Sequence, residues 1–356
     1  MAFPQVGHAD GVARVGDMDL AELTTLRLGG PAARVVEATT EDELVEAVRS
    51  ADDAGEPVLL VAGGSNLVVG DAGFDGTVVL VRTQGVRVDA DACSGAMVTV
   101  AAGESWDDLV VRAVDEGWVG VEALSGIPGS VGATPIQNVG AYGQEVSQTI
   151  ATVRVWDRVD RAVRTHHVTS CGFGYRTSRY KREPGRHVVL DVAFQLPLGD
   201  LGAPVAYAEL ARTLGVEVGG RAPAREVREA VLALRAGKGM VLDPDDHDTW
   251  SAGSFFTNPL LDEDAARDLP ADAPRFEQGD GTVKSSAAWL IQHAGFDKGH
   301  ARGPVALSSR HVLALTNRGG ASTDDLLSLA REVRDGVQER FGVTLEPEPN
   351  LVACAL

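Results

Sequence analysis

The chain has 356 residues, enough to bury a large core and to form two or three domains. Hydrophobic residues make up 44% and charged residues 23%, which excludes a disordered or fibrous chain, and no apolar run approaches the length of a membrane span. A formal net charge of −19 repels nucleic acid and anionic membrane surfaces, so neither is expected as a partner; an anionic small molecule can still bind where a few Arg or Lys residues gather.

Leu26–Pro31 reads as a short strand entering a turn. Thr40 and Glu43 have the spacing of a capping box, and Leu44, Ala47, Val48 and Ala51 follow at helical intervals up to Gly55. Val58–Val61 reads as a buried strand, and Thr77–Val81 and Met97–Ala102 as further strands. Ser105 and Asp108 cap a helix carrying Leu109, Val110, Ala113 and Val114. Ala151–Trp156 and Ala162–Val168 flank a polar turn and predict a hairpin; Val188–Leu196 predicts another strand. Ala206–Leu214 and Ala224–Leu234 are expected to be helical, with Gly237 and Gly239 breaking the second, and residues 241–248 read as a linker. A helix is expected over Ser285–Ala294, strands over Val305–Leu307 and Val312–Leu315, and a helix after the Ser322/Asp325 box. The chain closes with Val343–Leu345 and then Glu346-Pro347-Glu348-Pro349-Asn350.

Two glycine-rich stretches stand out. Ala62-Gly63-Gly64-Ser65-Asn66 directly follows the apolar run Val58–Val61. Gly126–Gly143 holds five glycines and two prolines in 18 residues and no Asp, Glu, Lys or Arg, which is too broken for a helix or strand and too small for an ordinary solvated loop. Glycine lets a backbone approach a ligand, and bare N–H groups can cradle a phosphate, so two such loops suggest a long ligand with a central pyrophosphate. Neither stretch has the G-x-G-x-x-G spacing of a doubly wound dinucleotide fold. Gly237-Lys238-Gly239 lacks the hydroxyl of a P-loop, no G-x-S-x-G supports a serine hydrolase, and the eight histidines are too scattered for a zinc site. The three cysteines have no metal-ligand spacing and point to a reducing cytoplasm; the N-terminus has no basic segment followed by an apolar one, so no signal peptide is expected.

Taken in this order, Gly126–Gly143, Tyr175-Arg176, Ala252–Asn258 and the terminal Leu345-Glu346-Pro347-Glu348 resemble the UDP-N-acetylenolpyruvoylglucosamine reductase family over nearly the whole chain, from about Leu26 to Val352. Tyr175, the Tyr207 region and the Lys238 segment resemble its type I branch. The resemblance implies an α+β chain: an FAD-binding fold of the vanillyl-alcohol-oxidase (PCMH) type in two subdomains, residues 1–80 (with a C-terminal strand at about 343–356 packing back) and 81–238, plus a C-terminal α/β substrate-binding domain over 239–342. It implies FAD held by Gly63, Gly64, Ser65 and Asn66 from one side and by Gly126, Ile127, Gly129, Gly132 and Ala133 from the other. It implies a hydride passed from NADPH through the flavin to C3 of UDP-N-acetylglucosamine enolpyruvate. Arg176 and Glu348 would meet the charge that develops on the substrate carboxylate, and Ser254 would protonate C2. Glu346 is the confusable neighbour of Glu348. Tyr175, Tyr207, Lys238 and Asn258 are implied as substrate contacts.

Simpler readings stand beside these. The glycines could serve tight turns alone, Tyr207 could pack on the core, Lys238 could be a cation at a helix C-terminus, Asn258 a turn former, and Arg176 the partner of a surface acid. The chain departs from the family where Pro349-Asn350 replace a hydrophobic residue and an arginine, and Ala301–His311 matches poorly, so no contact is transferred there. An FAD-dependent alcohol or sugar oxidase on the same scaffold, and a flavin-binding protein without turnover, are the competing functions; a monomer is expected.

Overall fold

The computed structural model describes residues 14, 15, 18–91 and 93–356. Strands β1 (Arg14–Val15), β2 (Ala32–Ala38), β3 (Val58–Val61), β4 (Leu67–Val69) and β5 (Phe74–Val81) open the chain. All but β4 form one sheet in the order β1-β2-β5-β3, with β1 antiparallel and the other three mutually parallel. Parallel strands need crossovers, and helix α1 (Glu41–Ala54) forms the one between β2 and β3, which flank β5. Its start follows the sequence: Thr40 accepts the Glu43 N–H, the Glu43 carboxylate reaches back to the Thr40 N–H, and Gly55 closes the helix at φ 68°.

Residues 26–31 do not form the expected strand. The Thr24 hydroxyl donates to the Leu28 carbonyl (2.9 Å) and accepts its N–H (3.2 Å), and Arg27 takes φ 55°, so a side chain uses the backbone groups that a ladder would need. Leu26 and Leu28 are buried nonetheless, in the core of the C-terminal part.

The second sheet is antiparallel. Its strands are β6 (Val86–Asp91), β7 (Gly95–Ala101), β8 (Ile150–Asp157), β9 (Ala162–His167) and β10 (His187–Leu196), in the order β9-β8-β10-β7-β6. The hairpin predicted at Ala151–Val168 is β8–β9. Helix α2 (Trp106–Asp115) starts where Ser105 accepts the Asp108 N–H. One core joins both sheets: Leu44 and Val48 of α1, Val79 of β5, Val98 and Val100 of β7, Trp106 and Phe194 are all buried in it. Helices α3 (Ala208–Leu214) and α4 (Ala224–Gly237) pack through Leu210, Val227 and Val231 on Ala123, beside the glycine-rich stretch.

The last part holds two three-stranded sheets, β11 (Leu260–Leu261), β12 (Arg275–Glu277) and β13 (Val283–Ser285), then β14 (Ala301–Arg302), β15 (Val305–Leu307) and β16 (Leu315–Asn317). Helices α5 (Ala287–His293) and α6 (Thr323–Phe341) cover them. The strand expected at Val312–Leu315 starts only at Leu315, because the Ala314 N–H turns back onto the His311 carbonyl (3.1 Å). Of the stretch 343–356, only three residues form the closing strand. It is β17 (Asn350–Val352), parallel to β4 with Asn350 opposite Leu67. The free edge of β4 selects the pairing segment, and Pro347 and Pro349 have no N–H to offer a ladder. This return carries residues 346–348 to the first glycine loop, since the Asn350 N–H donates to the Asn66 carbonyl at 3.0 Å. The departure Pro349-Asn350 therefore leaves the strand held through backbone bonds.

Asp71, just beyond β4, clasps the two ends of the chain together. Its Oδ1 accepts the Thr323 N–H (2.7 Å) and its Oδ2 the Asp324 N–H (3.0 Å), at the positive end of α6, while the Thr323 hydroxyl donates to the Val69 carbonyl (2.6 Å). Asp71→Ala is expected to lower stability by about 1–2 kcal/mol, read as a lower urea midpoint with an unchanged slope; an unchanged midpoint would mean that this clasp contributes nothing.

Candidate active site

The two glycine stretches meet. A Cβ on Gly63 would lie 2.7 Å from the Gly129 Cα, and one on Gly132 would lie 2.5 Å from the Ala102 Cβ. Gly64 has φ 58°, and a side chain there would collide with the Leu23 carbonyl. The Ser65 hydroxyl donates to the Pro128 carbonyl at 3.1 Å and ties one loop to the other. Among the described residues, none accepts a hydrogen bond from the N–H groups of Gly63, Gly64, Ser65 or Asn66. A row of unspent N–H groups on a backbone stripped of side chains is the geometry that an anionic pyrophosphate requires.

Above these loops lies a cavity of about 740 Å³. Gly63, Gly64, Ser65, Asn66, Ile127, Gly129, Gly132 and Ala133 line it, as do Tyr175, Arg176, Tyr207, Lys238, Ser254, Asn258 and Glu348. Gly126 does not. Its N–H donates to Asp107 (2.6 Å), its carbonyl accepts from Arg235 Nε (3.2 Å), and a Cβ there would meet Leu232 of α4 at 2.7 Å. Gly126 thus packs against α4. Five lining side chains are Arg or Lys and only two, Glu145 and Glu348, are carboxylates, so the cavity is locally cationic inside an acidic chain.

Three separate stretches bring the reactive groups together. Arg176 adopts φ 51° and is anchored by Nη2 on the Gly140 carbonyl (2.7 Å), which leaves Nε 3.1 Å from Glu348 Oε1. Glu348 is delivered by the pairing of 346–348 with 255–257: the Glu348 N–H donates to the Phe255 carbonyl (2.8 Å) and the Thr257 N–H to the Glu346 carbonyl (3.0 Å). That zigzag exposes Glu346 and turns Glu348 into the cavity, which separates the two glutamates by burial. Burial pushes the Glu348 carboxyl above the usual carboxylate range, and the charges of Arg176 and Lys181 offset this only in part. Ser254 sits between Gly253 at φ 73° and the fully buried Phe255, whose N–H is fixed to the Leu313 carbonyl (2.7 Å). The Thr25 hydroxyl braces the same loop through the Ser251 carbonyl (2.7 Å).

The remaining residues ring the mouth. The Tyr175 hydroxyl accepts the Asn258 backbone N–H (3.3 Å), and the Asn258 side-chain Oδ1 accepts the Ala287 N–H at the start of α5 (2.9 Å), so Asn258 has a structural duty besides any ligand. Lys284 Nζ lies 4.7 Å from the Tyr175 ring centre. Tyr207 is half exposed and meets Tyr142 edge-on at 5.7 Å. Lys238 follows the last residue of α4, pairs with Glu209 at 2.5 Å and lies over Tyr142. Sequence reasoning passed over Gln137, Tyr142, Lys181, Lys284 and His311, all of which line the cavity. Gln137 and Tyr142 lie inside the glycine-rich stretch Gly126–Gly143, which marks them; nothing in local pattern marks the others. His311 is held neutral, with its pKa pushed down to about 4 by burial and then by the charges of Lys238 and Lys298.

Residues 32–166 match the family described as an FAD binding domain, and residues 243–352 match the C-terminal domain of UDP-N-acetylenolpyruvoylglucosamine reductase. A UDP-N-acetylenolpyruvoylglucosamine reductase of Cutibacterium acnes is 60% identical over 343 residues, spanning 96% of this chain and 90% of that protein. The chain belongs to the UDP-N-acetylenolpyruvoylglucosamine reductase family. A family member from Streptomyces coelicolor is 57% identical over 97% of this chain and 92% of its own length. The crystal structure of the reductase from Thermus caldophilus aligns over 96% of this chain and all of that one, with a TM-score of 0.64 at 27% identity. The match to an FAD binding domain agrees with the absence of a G-x-G-x-x-G, the signature of a different, doubly wound dinucleotide fold. The unspent N–H groups and the side-chain-free contact of Gly63 with Gly129 fit that cofactor.

Gly64→Ala tests the cradle. It is expected to give a protein that folds with weakened flavin retention, at least tenfold by titration of the apoprotein, because φ 58° and the Leu23 carbonyl both reject a side chain; normal flavin content and affinity would count against the loop as cofactor cradle.

Proposed function

We propose that this cavity reduces UDP-N-acetylglucosamine enolpyruvate to UDP-N-acetylmuramate with NADPH as reductant, in peptidoglycan precursor synthesis. The observation that carries the reading is the meeting of Arg176, Glu348 and Ser254 in one cationic cavity floored by two glycine loops. Bound FAD supplies the hydride relay, accepting a hydride from NADPH and delivering it to C3 of the enolpyruvyl ether. Addition at C3 leaves negative charge that spreads from C2 into the carboxylate, and the protein's part is to hold donors where that charge appears.

Arg176 pairs the substrate carboxylate. Its guanidinium is already locked by Gly140, so little freedom is lost on binding. Glu348 acts as a neutral donor in this reading: burial raises its pKa, and its protonated form leaves the Arg176 charge available to the substrate. Ser254 gives the proton to C2, completing the addition of one hydride and one proton across the double bond. A serine is a weak acid, so it serves here only against a strongly basic enolate. Lys238 is placed to take a diphosphate oxygen, sharing or exchanging its contact with Glu209, and Tyr175, Tyr207 and Asn258 close over the same ligand.

An alcohol or sugar oxidase on the same scaffold would have no use for a carboxylate clamp beside a buried acid. The cavity is assembled within one chain, so we propose a monomer; the acidic field and the lack of any described helix able to cross a membrane agree with a cytoplasmic enzyme that does not use nucleic acid.

Anaerobic stopped-flow absorbance tests the assignment. NADPH should bleach the flavin of Ser254→Ala at the normal rate, while recovery on adding the enolpyruvyl sugar slows by on the order of a hundredfold or more; normal recovery would remove Ser254 as proton donor. Recovery in the unsubstituted protein should hold at low pH and fall as pH rises through the raised Glu348 value, because the active form is the protonated one. A flat alkaline limb would remove that role. Lys238→Met should raise KM about tenfold or more with kcat little changed, and an unchanged KM would reject the phosphate contact.

A further inference from the structure

Glu348 is reached by a chain of amides that leads back to the first glycine loop. Asn66 Nδ2 points at the Glu348 backbone carbonyl (3.5 Å) and at Gln137 Oε1 (2.9 Å), and Gln137 Nε2 points at Glu348 Oε1 (3.4 Å). The directions in this chain are set by chemistry. A backbone carbonyl can only accept, so the Asn66 atom facing it must be the NH₂ group. That NH₂ also faces Gln137, whose near atom must then be its carbonyl oxygen, which turns the Gln137 NH₂ toward Glu348. Glu348 Oε1 thus receives Gln137 and also stands 3.1 Å from Arg176 Nε, a group that cannot accept a proton. No hydrogen bond from a described residue reaches Oε2. A proton on Oε1 would face two donors and no acceptor; a proton on Oε2 meets no such conflict.

We propose that Gln137, aligned by Asn66, is a positioning residue that keeps Glu348 Oε1 occupied and so holds the acid's proton on Oε2. The two oxygens of a free carboxyl group are equivalent, and this chain makes them different. The acid then presents its O–H in one direction only, and that direction is coupled to the loop that cradles the cofactor, because Asn66 belongs to both. The proposal rests on the reading of Glu348 as a proton-holding group. It adds which atom holds the proton and which neighbour enforces it.

The test is the rate constant of flavin recovery by the enolpyruvyl sugar, measured from pH 5.5 to 10 in Gln137→Leu, Gln137→Glu and Glu348→Gln, with flavin reduction by NADPH as the control. In Gln137→Leu the donor to Oε1 is lost. Recovery near pH 7 should slow roughly tenfold, the scale of one hydrogen bond to a charged or reacting group, and the alkaline limb should move up, because a bond that favoured the carboxylate has gone. Gln137→Glu keeps the shape and reverses the logic: its carboxylate shares a proton with Oε1, so recovery slows and the limb moves further up. Reduction by NADPH should stay normal in both. If Gln137→Leu loses flavin, the near-isosteric Gln137→Glu decides alone. Recovery at the normal rate with an unmoved limb in the Gln137 variants, while Glu348→Gln is slow, would overturn the positioning role and leave the acid role standing. Normal recovery in Glu348→Gln would overturn both.

Discussion

Two backbones touch at Gly63 and Gly129, and the architecture of the site depends on that contact. No side chain fits there, so the loop after β3 and the loop before Gly132 close on each other, and the first presents its bare N–H groups at the junction. The parallel sheet brings one loop to the meeting place, and the antiparallel sheet with α2 brings the other. Their shared core, from Leu44 of α1 to Phe194 of β10, sets the spacing between them. A change of a few tenths of an ångström in that spacing would either open the cradle or make it clash, since packed interiors do not yield smoothly.

Everything reactive is then mounted around the floor from far along the chain. β17 returns beside β4 and carries Glu348 to within reach of Asn66. The edge contact of 346–348 with 255–257 sets the serine loop and the acid in register, so Ser254 and Glu348 cannot be placed independently. Asp71 at the N-terminus of α6 clamps the same junction from outside. A chain of net charge −19 thereby builds one cationic cavity, and the acidic surface around it disfavours anions anywhere else.

Burial gives the site its chemistry as much as its shape. The Glu348 carboxyl is pushed above the usual carboxylate range because the cost of ionising it out of water outweighs what the charges of Arg176 and Lys181 return. The Arg176 guanidinium stands 3.1 Å from that carboxyl and faces the same cavity. His311 is held neutral by the same physics with the opposite sign, so the cation count of the cavity does not change near neutral pH.

The sequence by itself determined the local events. The capping boxes at Thr40 and Ser322, the β8–β9 hairpin, the buried run 58–61 and the loop character of both glycine stretches all depend on neighbours a few residues apart, and they stand where the pattern puts them. Resemblance over spaced motifs extended this to Arg176, Ser254 and Glu348, which line one cavity. Tertiary structure decided the rest. Thr24 dissolved the strand expected at 26–31, and pairing with the edge of β4 confined the last strand to Asn350–Val352. Gly126 looked like its neighbours in sequence yet was turned against α4, while Gln137, Lys181, Lys284 and His311 were turned inward. Which way a side chain faces depends on partners hundreds of residues away, as Asn66 depends on Glu348, and no local spacing encodes that.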